Sequence, residues 1–151
     1  MINASIINDF IILAIWLCLL ISCYTDLKYR IISNYIVVTI FTLVLINYIL
    51  GRGQLNYIAS SLFFIFGLIM FYCRLIGGGD VKLITVLLIS IPQNSVLFFL
   101  VIITIIGLPL AIIALIYKAV TKKNRITLPY GIAISGSYIL TSLSMFNVLI
   151  R

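Results

Sequence analysis

Six apolar runs, separated by short polar breaks, account for most of this chain. They cover residues 6–24, 32–50, 57–75, 81–91, 96–117 and 130–149. A helical crossing of a bilayer core takes about 20 apolar residues, so the pattern suits a bundle that lives in lipid. Charged side chains make up only 9% of the 151 residues, against about 25% in a soluble domain. That is too little charge to coat a globule in water. The runs lack the period-2 alternation of membrane barrel strands, so each is read as a helix. The expected fold is an all-α polytopic membrane protein with six transmembrane helices, short loops and a single domain over residues 1–151.

Run four is short. Its eleven residues rise only about 16 Å at ~1.5 Å per residue, less than a hydrocarbon core. It could extend through Pro92, sit inside the bundle, or be re-entrant. The basic residues favour a full crossing. With six crossings, Lys28, Arg30, Arg74, Lys82, Lys118, Lys122, Lys123 and Arg125 all fall on one side, leaving Arg52 and Arg151 on the other. Basic loops stay cytoplasmic, which predicts N-out and C-out termini in the cell (inner or cytoplasmic) membrane. The net charge of +7 is thereby read as topology and contact with membrane lipid, not as a nucleic-acid partner. Leu20-Ile21-Ser22-Cys23 imitates a lipoprotein cleavage box, but no basic residue precedes it and Asp9 does. The first run is therefore expected to remain as a membrane helix.

Asp9, Asp26 and Asp80 are the only carboxylates, and there is no Glu or His. A His-based triad and a His-ligated metal are excluded. Cys18, Cys23 and Cys73 form no C-x-x-C pair, and they are read as small apolar side chains. Asp26 closes run one and Asp80 opens run four, on the same predicted side of the membrane. One such aspartate could simply end a helix in the hydrated interface. Two together, in a chain almost devoid of acids, point to function.

Asp80 follows Gly77-Gly78-Gly79. Such a run permits positive φ and close approach by another backbone; alternatively it is a plain loop ahead of an N-cap Asp. Two carboxylates held close cannot both ionise easily, so they share a proton. One can then serve as base toward a water while the other donates to a substrate carbonyl. That chemistry calls for no cofactor and no metal, and two aspartates alone would leave a hard cation short of oxygen ligands.

The segment Asp26-Leu27-Lys28-Tyr29-Arg30-Ile31-Ile32-Ser33-Asn34 resembles the first catalytic motif of the type IV prepilin peptidases, an Asp followed by basic residues and Ile-Pro-Asn. Gly77-Gly78-Gly79-Asp80-Val81-Lys82-Leu83 resembles their second, Gly-x-Gly-Asp and Val-Lys-Leu. Leu128-Pro129-Tyr130-Gly131-Ile132-Ala133 resembles the segment that opens their last helix. The resemblance implies a membrane aspartic endopeptidase that removes the short basic leader from prepilin-like precursors at the cytoplasmic face. It implies that Asp26 and Asp80 are the catalytic pair, that Gly77 and Gly79 shape the loop, and that Lys82 and Asn34 support the site. Ser33 stands where the family has Pro. The long cytoplasmic insertion of the bifunctional members, which accompanies N-methylation, is absent. The chain therefore looks like the short, peptidase-only form of tight-adherence (Flp-type) pilus systems, or like the archaeal preflagellin peptidases.

Two other readings remain open. A noncatalytic subunit of a pilus or secretion assembly could use Asn47, Thr85 and Thr104 to line a path or to join helices. A presenilin-type intramembrane protease also carries Gly-x-Gly-Asp, with its first Asp deeper in a helix.

Overall fold

A computed structural model describes residues 4–51, 53–121 and 130–149. It forms six helices: α1 (Ala4–Tyr29), α2 (Asn34–Ile49), α3 (Tyr57–Tyr72), α4 (Gly78–Ser90), α5 (Gln93–Thr121) and α6 (Tyr130–Leu149). Every expected run appears as a helix, and no strand occurs among the described residues. Arg52, Lys122, Lys123, Arg125, Arg151 and the Leu128-Pro129 pair lie outside the described residues. The full charge count behind the expected topology therefore rests on sequence.

Two helices are long and apolar enough to cross a membrane, over Ile7–Tyr29 and Gln93–Ile113. Both keep most of that surface unburied within the protein, as lipid-facing helices do and the core helix of a soluble protein does not. α2 and α3 are apolar but have 16 residues each, or about 24 Å of helix. The geometry thus supports fewer full-length spans than the six expected.

α4 has 13 residues, extended toward its N-terminus rather than through Pro92, which lies beyond its end at Ser90. It packs against α2, α3 and α6 and buries Val81, Leu83, Ile84, Leu87 and Leu88. A short helix is tolerable there because neighbouring helices, not lipid, surround its ends. α1 lies against α2 and α6, and α5 covers α6. The core that joins them includes Ile15, Leu19, Ile40, Phe99 and Ile134.

α3 meets α4 through small residues. The Ser60 hydroxyl donates to the Thr85 carbonyl at 2.9 Å, and Gly67 faces Val81 so closely that an added Cβ would lie 2.6 Å from Val81 Cγ1. Small residues let helices approach and gain dispersion contacts that lipid cannot supply. Gly67→Ala should cost about 1–3 kcal/mol through overpacking, read as a lower unfolding midpoint. A compensating Val81→Ala should recover most of that loss.

At one end of the bundle Asn56 caps α3, accepting from Ala59 N–H at 3.2 Å. Its backbone N–H donates to Ile89 O and its side-chain amide to Ile91 O, near the end of α4. The expectation that polar side chains join helices holds for Asn47, which donates to Asn8 across α1 and α2 at 3.1 Å. It fails for Thr85 and Thr104, whose hydroxyls turn back onto carbonyls of their own helices. At the opposite end, the α1–α2 connection, the α3–α4 connection and the start of α6 meet around one cavity.

Candidate active site

Asp26 lies within the last turn of α1, which continues through Tyr29, rather than closing the helix as expected. This places the carboxyl at the α1–α6 contact, with only 5% of the residue exposed. A buried carboxylate must find donors. It finds one in the Gly131 backbone N–H, which donates to Asp26 Oδ2 at 2.8 Å. Gly131 is the second residue of α6, where backbone N–H groups lack intrahelical partners and the helix dipole favours negative charge. A Cβ at Gly131 would fall 2.8 Å from Oδ2 and 3.0 Å from the Asp26 Cβ. Only glycine lets the two helices close to this distance.

Asp80 stands in the first turn of α4, ahead of the apolar stretch that begins at Val81. The N-cap is Gly77, not Asp80, and Asp80 is three residues on. From there its carboxyl reaches back to the Gly77 backbone, half of a capping box. An added Cβ at Gly77 would lie 2.8 Å from Asp80 Oδ2. Gly78 and Gly79 belong to α4 itself; Gly79 faces Ile32 of the α1–α2 connection, where a Cβ would come within 3.0 Å. The glycine run therefore supplies room for contact. None of its three members has a positive φ, contrary to one of the uses expected of it.

Asp26 and Asp80 both line a cavity of about 880 Å³. Its wall includes Ile31, Ile32, Phe71, Tyr130 and the three glycines, with Arg30 and Arg74 also on it. Burial pushes the Asp80 carboxyl up to about 6, and the Asp26 charge adds to the rise against the opposing Gly77 bond. The two groups are thus close enough for the charge of Asp26 to act on Asp80. The other expected pair also meets: Lys82 Nζ donates to Asn34 Oδ1 at 3.2 Å, tying the start of α4 to the start of α2. Ser33 is the N-cap of α2 at φ −68°, a backbone angle that proline would share.

The sequence profile of the type IV leader peptidase family matches residues 11–112. The chain belongs to that family. It is accordingly a peptidase by family, and with its apolar spans a membrane protein. Comparison with curated proteins and with solved structures returns no match. The family match includes both aspartates and stops short of Gly131. In the sequence Tyr130 and Gly131 stand only within the motif that opens the last helix, with no role attached to either. The available signal was a glycine at the start of a helix, where no turn demands one. Charge patterning marks Arg30 and Arg74 only for topology, yet both lie on the cavity wall.

Proposed function

We propose that this leader peptidase homologue is an aspartic endopeptidase that removes short basic leaders from prepilin-like precursors. Its setting is the cytoplasmic face of the cell membrane, with the chain folded as a single multi-pass domain. The observation that carries the reading is the convergence of Asp26 and Asp80 on one cavity, from helices far apart in sequence. One carboxylate takes a proton from water, the resulting hydroxyl attacks the scissile carbonyl, and the other carboxyl protonates the carbonyl oxygen. Collapse of the tetrahedral species then expels the amine, which leaves with a proton from the pair. Lys82 and Asn34 hold α4 and α2 in register, and Gly77 and Gly79 keep the wall thin. The basic groups of this face that lie away from the cavity interact with lipid, since like charges repel a basic leader.

The deciding experiment is cleavage of a prepilin-like precursor by the protein in lipid vesicles, with the new N-terminus read by mass spectrometry. A single cut between the basic leader and the apolar stem is expected. An intact precursor with a folded protein would favour a noncatalytic assembly subunit, and a cut within the apolar stem would favour a presenilin-type protease.

The pH profile should carry the signature of a shared proton. The reactive form holds one proton between the two groups. Because the Asp80 value is raised to about 6, that proton is retained below this pH and lost above it. The rate should therefore fall as pH rises through the region near 6. A rate that climbs steadily to pH 8 would contradict the shared proton.

A further inference from the structure

The only positive φ angles outside glycine among the described residues belong to Arg30, at 56°, and Arg74, at 58°. Both residues terminate helices. Arg30 N–H donates to Asp26 O at 2.9 Å, the bond of a left-handed helix cap. Arg74 N–H donates to Phe71 O and Leu75 N–H to Met70 O, the two bonds of a Schellman motif. Glycine is the usual residue at this position because a Cβ crowds the left-handed conformation. This chain has glycine three residues further on, at 77, 78 and 79, yet carries arginine at both caps. The same two arginines share the wall of the cavity that holds the aspartates. Non-glycine residues kept in this conformation cluster at ligand-binding sites, where the side chain repays the backbone strain.

We propose that Arg30 and Arg74 bind a carboxylate of the peptide substrate and so set which bond reaches the aspartates, an inference that rests on the peptidase reading. A guanidinium offers a planar fork of donors that matches a carboxylate. The wall beside them carries Ile31, Phe71 and Leu75, and both arginines are exposed, where a peptide can reach them. The pair also gives the cavity a polarity. Its acidic part performs the chemistry and its basic part holds a group of opposite charge. A substrate that is basic on one side of the cut and acidic on the other would fit in one direction only. Lipid phosphate is the competing occupant, since arginines near a membrane surface also reach headgroups.

The test uses the full chain in vesicles and a precursor carrying Glu, or in a parallel series Gln, at successive positions on either side of the cut. The native protein should prefer Glu over Gln at one position by about 10-fold to 100-fold in kcat/KM, the size of a charge-assisted hydrogen bond. Arg74→Gln and Arg30→Gln should each bring that ratio toward one, and Arg74→Lys should restore part of it. Arg74→Gly separates substrate binding from folding. Glycine suits φ 58°, so the unfolding midpoint should not fall while the Glu preference is lost. The inference is overturned if no position favours Glu, or if the preference survives both Gln variants. It is also overturned if the rate follows the anionic-lipid content of the vesicles and ignores peptide charge. Those outcomes leave the peptidase reading intact provided Asp26→Asn abolishes cleavage. Cleavage that persists in Asp26→Asn would instead overturn the peptidase reading itself.

Discussion

Asp26→Asn and Asp80→Asn should each slow leader cleavage by at least about 10³-fold, within the range that positioned acid–base groups supply. That is roughly 4 kcal/mol of transition-state stabilisation. Asparagine is the informative replacement because it keeps the shape of the side chain and removes the proton traffic. In Asp26→Asn the amide oxygen can still accept from Gly131 N–H, so the bond at 2.8 Å need not be lost and the bundle should still assemble. The same replacement at Asp80 leaves an oxygen to face the Gly77 backbone. The double variant should be scarcely slower than either single one, because two groups that pass one proton act as a unit. Additive losses would mean that the two carboxyls work independently. Undiminished cleavage in either single variant would remove that aspartate from the chemistry, whatever its place on the cavity wall.

The placement of helices was legible because lipid makes the demand simple. Each apolar run must satisfy its own backbone, and only a helix does so. Both catalytic candidates stood out for a related reason, since carboxylates are so rare in this chain that any two on one side attract notice. The ends of the helices were less legible. α1 runs on past the first apolar run, which ends at Tyr24, to Tyr29, because Asp26 is sheltered by α6 and need not stop the helix to reach water. α4 begins at Gly78, which apolar patterning could not register because glycine carries no side chain. The roles of Gly131, Arg30 and Arg74 depended on long-range juxtaposition. A hydrogen bond between residues 105 apart in sequence leaves no local pattern, and a positive φ on arginine runs against residue preference. Lys82 and Asn34 were named together through resemblance, and their direct bond supplies a physical reason for the pairing.

Gly131→Ala should have the second large effect, about 100-fold in kcat, with a smaller change in KM. The added Cβ would meet Asp26 at three atoms, Oδ2 at 2.8 Å, Cβ at 3.0 Å and Cγ at 3.2 Å. A rotation of the carboxyl could relieve the first contact and not the second, because the Asp26 Cβ is fixed to the α1 backbone. Either α1 and α6 must part or the Gly131 N–H bond must stretch. Both shift one member of the catalytic pair relative to Asp80, and a misplacement of about 1 Å can cost on the order of 100-fold. Gly136→Ala provides the control on the same helix. Its added Cβ would meet nothing nearer than Ile106 Cδ1 at 3.7 Å, an ordinary contact, and alanine is the better helix former. That variant should keep full activity and equal or higher stability. If Gly131→Ala cleaved as fast as Gly136→Ala, the α6 N-terminus would be a passive neighbour of Asp26 rather than the group that positions it. If Gly131→Ala lost activity while its unfolding midpoint stayed within a few degrees of Gly136→Ala, the loss would belong to the geometry of the pair and not to the bundle.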